Sequence, residues 1–201
     1  MLTLILLKMY RYLLFCLVLL TACKHSQDCP GFDDRDAAWL VYHVNDTIKF
    51  TNAANDKIRF VTTQRNTDPS YSEVCHRGEP AGYYCKPCTS SASVSAVTDT
   101  LRRNYYRINL EMLNPDGNLS FAVYDNMGIL DYDYDTHTVK SADKLDTLTL
   151  GGTLYHDVYF HEVDTLLTFM TNTIVWKTYY NKQYGILGFY DRQTHSLFYR
   201  E

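Results

Sequence analysis

Asn45-Asp46-Thr47-Ile48-Lys49-Phe50 is followed ten residues on by Asn55-Asp56-Lys57-Ile58-Arg59-Phe60. Each copy opens on a turn-forming Asn-Asp pair. Each then alternates with period two, Ile and Phe on one face and Thr, Lys or Arg on the other. The pattern predicts two consecutive antiparallel strands joined through Asn/Asp turns, and two copies are too few for a repeat architecture. The same alternation marks Tyr105 to Met112, Leu119 to Tyr124, Leu145 to Leu150 and Thr153 to Val163. It returns in Thr173 to Tyr180, Ile186 to Tyr190 and Ser196 to Tyr199, and Asn114-Pro115-Asp116-Gly117-Asn118 and Gly151-Gly152 supply turns. No long stretch carries a helical apolar face. About nine or ten strands with little helix predict an all-β chain: a single antiparallel β-sheet domain, either a sandwich or a curved half-barrel.

Ahead of the strands lies a different kind of segment. Tyr12 to Ala22 is almost wholly apolar, is preceded by Lys8 and Arg11, and ends in Leu20-Thr21-Ala22-Cys23. A span needs about 20 apolar residues, so this run has the length of a signal-peptide core, flanked by cations and a small-residue cleavage zone. Leu20-Thr21-Ala22-Cys23 resembles a bacterial lipobox, which implies cleavage after Ala22 and acylation of Cys23. Several acyl chains on one residue anchor stably where a single chain does not. The apolar run Leu2 to Leu7 precedes the charges, and Met9 is the better initiator. The expected organisation is a lipoprotein signal peptide over 1–22, a lipidated tether over 23–36 and a β domain over 37–201, with Ala37 to Val44 reading as its first alternating segment.

The chain carries a formal charge of −4, and Lys8 and Arg11 leave with the leader. A mildly acidic domain without a basic patch has no electrostatic reason to bind nucleic acid. The partner expected is the lipid bilayer, through acylated Cys23. Of the remaining cysteines, Cys16 lies in the leader and Cys29, Cys75, Cys85 and Cys88 stay in the mature chain. Four cysteines in an exported chain predict two disulfides, with three pairings open. Three of the four fall in the irregular stretch Arg65 to Ser95, a loop long enough to need stapling, with room for one short strand pair closed by Cys75 and its partner. A metal alternative groups Cys75, His76, Cys85 and Cys88 as four zinc ligands.

Thr178-Tyr179-Tyr180 and Tyr184-Gly185-Ile186-Leu187-Gly188-Phe189-Tyr190 together resemble the C-terminal hairpin of small exported lipoproteins of unknown function from the Bacteroidota, and Asn45 to Phe60 resembles their N-terminal strand pair. The resemblance implies an exported β-sheet lipoprotein with no assigned activity. Acidic residues often follow the lipidated cysteine of surface-exposed members; here Lys24-His25-Ser26-Gln27 follow Cys23, so the membrane face stays open. Asp46-Thr47-Ile48, Asp99-Thr100-Leu101, Asp146-Thr147-Leu148 and Asp164-Thr165-Leu166 resemble an Asp-Ser/Thr-aliphatic O-glycosylation acceptor of the same bacteria, which makes Thr47, Thr100, Thr147 and Thr165 candidates. The same triplets are also plain turn chemistry.

The remaining motifs are weaker. Asp131, Asp133 and Asp135 alternate like the opening of a calcium loop, but Thr136 replaces the turn glycine and Ala142 the closing glutamate; a polar connection or edge strand fits better. His156 and His161 fall on opposite faces of an extended strand, with His161 suited to surface packing. No nucleophile elbow, zincin helix, phosphate loop or dinucleotide glycine pattern occurs, and no cofactor is implied. The 18 tyrosines suit stacking on a sugar but are also favoured strand residues. The function expected is a non-catalytic structural or assembly role in the cell envelope, most simply at the outer membrane. The alternative is a lipoprotein that binds a glycan or an apolar molecule, and an exported hydrolase is third.

In the closing hairpin, Gly185 is expected at the turn in a left-handed conformation, while Gly188 leaves room for a neighbouring aromatic, with Leu187 and Phe189 turned inward.

Overall fold

Asn45 and Asn55 both take left-handed backbone, at φ 75 and φ 61, a conformation Asn tolerates better than most residues. They flank β2 (Thr47–Thr51) and introduce β3 (Lys57–Asp68), which pair antiparallel with Ile48 opposite Phe60 and Phe50 opposite Ile58. The two echoed sequences are therefore the two strands of one hairpin, and all four of these apolar side chains are buried.

In the computed structural model, the residues described are 26–27, 33–68, 73–78, 82–85, 90–98, 106–114, 117–140, 143–163 and 174–201. They form a short helix, α1 (Asp34–Ala37), and, with β2 and β3, fifteen strands. The others are β1 (Ser26–Gln27), β4 (Glu73–Gly78), β5 (Gly82–Cys85), β6 (Ser90–Thr98), β7 (Arg107–Asn114), β8 (Asn118–Val123), β9 (Asn126–Asp133) and β10 (Thr138–Val139). The C-terminal set is β11 (Lys144–Leu150), β12 (Thr153–Glu162), β13 (Val175–Asn181), β14 (Gly185–Asp191) and β15 (Ser196–Arg200).

Twelve strands make one sheet, in the order β10-β9-β8-β7-β6-β3-β2-β15-β14-β13-β12-β11. It is a single antiparallel sheet curled into a half-barrel. The first and last long elements meet in its middle, where β2 pairs with β15. β1, β4 and β5 form a separate three-stranded sheet, of which β4 and β5 lie within the span 65–95 expected to be a stapled loop.

The curl brings the β8–β9 turn against β13. The Asp125 carboxylate accepts the backbone N–H groups of Ile174 (2.8 Å) and Val175 (3.1 Å), and Asn126 Nδ2 donates to the Trp176 carbonyl at 3.0 Å. Close approach is possible because position 128 has no side chain: a Cβ there would lie 2.7 Å from the His161 Cβ of β12. His161 therefore sits inside the curl rather than on the surface, and burial lowers its pKa.

Two apolar clusters result. The larger lines the concave face and includes Phe50, Phe60, Ile108, Leu110, Phe121, Tyr132, Tyr180 and Phe189. The smaller, of Leu150, Tyr155, Val158 and Leu187, lies on the outer face. It exists because Asp157 has φ 52 and Leu187 is an extra residue of β14, bulged opposite the Tyr179–Tyr180 step of β13, two irregularities of the kind that bend strands. Leu187 thus points outward, against the inward orientation expected from simple alternation.

Three sequence expectations change. Ala37 to Val44 is not a strand; it leaves α1 and crosses the concave face with Trp39, Leu40 and Tyr42 buried. Asp36, assigned to the tether, is only 4 % exposed, so the fold begins before residue 37. Ser90–Thr98 is a full strand, its Ala92, Val94 and Ala96 buried between half-exposed serines.

Gly185 has φ +77, and a Cβ there would meet the Tyr42 ring and hydroxyl. Gly188 is crowded for another reason: a Cβ would lie 2.6 Å from the Phe198 carbonyl oxygen and 3.3 Å from Leu150. Its register partners are Tyr179 and Tyr199, but it is Leu150 that covers it. Gly152, at φ +84 with open space around it, isolates the backbone effect alone. Gly185→Ala and Gly188→Ala should each lose about 2–3 kcal/mol, the first from left-handed strain together with the clash against Tyr42 and the second from overpacking alone. Gly152→Ala should lose about 1 kcal/mol. Chemical denaturation of the three variants checks that order.

Candidate functional site

The concave face is filled by the chain itself. Trp39 lies with its ring centroid 5.8 Å from Tyr132, 5.8 Å from Tyr159 and 6.3 Å from Tyr180. The Lys182 ammonium stands 5.1 Å over the same ring, close enough for a cation–π contact. This is an aromatic cage built from β9, β12 and β13, and its occupant is a tryptophan of the preceding coil.

A coil crossing a buried face exposes carbonyls that need donors. Arg65 of β3 donates to the carbonyls of Leu40 and Tyr42, the latter at 2.8 Å, and reaches that of Ala37 at 3.5 Å. The Tyr180 hydroxyl donates to the Trp39 carbonyl. Tyr42 works in the other direction, its hydroxyl accepting the Ile186 N–H at 2.6 Å. Burial raises the Tyr42 pKa to about 12, a shift the nearby Arg200 opposes, and raises that of Tyr180 well above the usual value. Both hydroxyls stay protonated at any physiological pH.

Where α1 meets the β9–β10 turn, three polar side chains converge. Asp36 Oδ1 accepts the Tyr132 hydroxyl at 2.6 Å and lies 2.7 Å from Nδ1 of His137. Burial and the Asp36 carboxylate push the Tyr132 pKa upward. His137 has φ 56, a conformation uncommon outside glycine, and it turns Nδ1 toward the carboxylate. Beside it, Asp33 caps α1 by accepting the Arg35 N–H at 2.8 Å. The Arg35 guanidinium holds the Asp33 carboxyl far below the usual carboxylate range.

A buried aspartate that fixes a histidine is the orienting half of a general-base arrangement. The hydroxyls next to His137 in sequence do not complete it, because Thr136 and Thr138 bond one another at 2.7 Å. What the cluster does is join α1 to the far end of the sheet. The buried carboxylates elsewhere serve the same purpose: Asp191, 1 % exposed, accepts the Tyr106 hydroxyl at 2.5 Å and the N–H groups of Gln193 and Thr194.

The aspartates of the candidate calcium loop do not converge. Asp133 Oδ1 accepts the N–H groups of Asp135 and Thr136, and Oδ2 pairs with Lys140 at 2.8 Å. That pairing lowers the Asp133 pKa to about 2. Asp131 and Asp135 are exposed, and among the described residues no group of three or more His, Cys, Asp and Glu is placed to hold a metal ion. His156 is exposed and His161 enclosed, so the two form no common site. Thr47 and Thr147, on β2 and β11, are exposed, as an acceptor hydroxyl requires. Cys23, Cys29, Cys88, Thr100 and Thr165 lie outside the described residues, while Cys75, His76 and Cys85 are described in backbone only. Sequence reading missed the Asp36–Tyr132–His137 cluster; its one signal was the odd placement of His137 after three alternating aspartates.

Comparison with protein-family models, with curated proteins and with solved structures finds no match, so the cluster is judged on its geometry. Asp36→Ala strands a buried phenol and an imidazole and should cost about 2–3 kcal/mol. Tyr132→Phe, which leaves Asp36 paired with His137, should cost about 1 kcal/mol. Urea titrations of both variants test the ranking, and equal small losses would show that the cluster is incidental to the fold.

Proposed function

We propose that the protein is a lipoprotein of the cell envelope, held in the outer membrane by acylated Cys23, with a non-catalytic structural or assembly role. The observation that carries this reading is the filled concavity. A half-barrel that bound an apolar molecule would keep its concave face open to it; here Trp39, Leu40 and Tyr42 occupy that face. Asp36, at the end of the tether, is bonded to Tyr132 of β9, and Trp39 and Tyr42 just after it are bonded to β13 and β14.

A second reading, glycan binding, is favoured by one feature of the outer face. Phe160, Tyr179, Gly188 and Tyr199 are successive register partners across β12 to β15. The Lys177 ammonium stands 4.5 Å over the Phe160 ring and pairs with Glu162 at 2.6 Å. Gly188 lies under Leu150, and Tyr199 lies against Gly151, so the open end of the row is Phe160 and Tyr179, where rings beside a charge pair offer both stacking and hydrogen bonds to a sugar.

Cys23→Ala should leave an exported protein that no longer partitions with membranes or into detergent, while the wild type does both. Recovery of the variant in the membrane fraction would contradict the lipoprotein reading. Binding of the wild type, but not of Tyr179→Ala, to envelope polysaccharide would favour the second reading over the first.

A further inference from the structure

Three pairings are open for the four mature cysteines, and backbone register separates them. β4 and β5 are antiparallel, and Cys75 stands directly opposite Cys85, with His76 opposite Tyr84, Arg77 opposite Tyr83 and Gly78 opposite Gly82. Residues directly opposite in an antiparallel pair have Cα atoms about 4.5 or 5.5 Å apart, depending on whether the pair is hydrogen-bonded. Both values fall inside the window of about 4.4–6.8 Å that a disulfide requires. Opposed residues also share a face of the sheet.

The other partners of Cys75 fit less well. β1 pairs with β4 from the other side, with Ser26 opposite Val74 and Gln27 opposite Glu73. Along β1 the register therefore runs from Val74 to Glu73, away from Cys75. Cys88 follows Cys85 by three residues, about 10 Å of extended chain. The zinc alternative meets a separate obstacle. Cys75 and His76 are neighbours on one strand and so are placed on opposite faces of the sheet, where an ion at one face takes only one of them.

We infer that Cys75 and Cys85 form a cross-strand disulfide that closes the β4–β5 hairpin. In forming it, each thiol gives up a proton and an electron and the S–S bond is made. The disulfide of an oxidised thiol, protein or glutathione, is broken and takes up the two electrons and two protons. The bond would brace the sheet in which Ser26 and Gln27, only three and four residues beyond the anchor cysteine, are the third strand. Formation in the cell rests on the export reading, because an oxidising compartment is needed; the pairing itself does not.

The test is mass mapping of the full-length protein purified from membranes, alkylated without reduction and digested with trypsin. Peptide Asn66–Arg77 carries Cys75, and Gly78–Arg102 carries both Cys85 and Cys88, since Pro87 blocks cleavage after Lys86. The double variant Cys29→Ser/Cys88→Ser resolves that ambiguity. In it the two peptides should remain linked and no thiol should be alkylated. Two alkylated thiols in this variant, a link from Asn66–Arg77 to the Cys29 peptide in the wild type, or one zinc per chain would each overturn the pairing. Four alkylated thiols in the isolated wild type would instead overturn export. Refolding with oxidised glutathione then decides the register by itself: a Cys75–Cys85 link upholds it, and any other pairing overturns it.

Discussion

A curled sheet that stops short of closing has a concave face too apolar for water and no second sheet to cover it. In this protein, the coil running from Asp36 to Tyr42 supplies the cover. The solution carries its own cost, since a coil brings unpaired carbonyls into an apolar space, where each lost hydrogen bond costs about 1–3 kcal/mol. Arg65 and Tyr180 meet that demand from two strands well apart in the sheet order. The interactions are reciprocal: the coil needs the strands for its hydrogen bonds, and the strands need the coil to cover Tyr132, Tyr159 and Tyr180. Folding of the body and docking of the coil are in this view one event.

The same constraint accounts for the outer face. Once the concave side is full, further apolar surface must be covered elsewhere. The β11–β12 hairpin does this: left-handed Asp157 bends it, and Leu150, Tyr155 and Val158 pack with Leu187 beneath. Gly188 is short of space because it lies between that hairpin and the backbone of β15. Tyrosine abundance has a similar origin. Tyr42, Tyr106, Tyr132 and Tyr180 all place an apolar ring in the core and a hydroxyl on a polar group within it. For these four, structural hydrogen bonding is the reason for the residue.

Much of this was legible in the order of residues. Period-two alternation located most long strands, and the Asn-Asp echo located β2–β3, because both signals are local and steric. Four features were not legible, each for a physical reason. Trp39, Leu40 and Tyr42 alternate like a strand, and only the tertiary context reveals that they fill a concavity. Ser90 to Ser95 reads as a loop because serine is a poor strand former in isolation, yet its alternation with Ala92 and Val94 suits a strand with one buried face. Asp36 and His137 lie about a hundred residues apart in sequence, and no spacing rule joins them. The reversed orientation of Leu187 came from a bulge, which shifts alternation by one residue and leaves no local mark.

The central claim is that the coil holds the half-barrel together, and hydrogen exchange of Trp39→Ala in the full-length protein tests it most directly. Removing the indole should cost about 3–5 kcal/mol. If the claim is right, amides of β9, β12 and β13, which meet Trp39 through Tyr132, Tyr159 and Tyr180, lose protection together with residues 36–44. Faster exchange confined to residues 36–44, with those three strands as protected as in the wild type, would contradict it and show the coil to be a passenger on a sheet that stands alone.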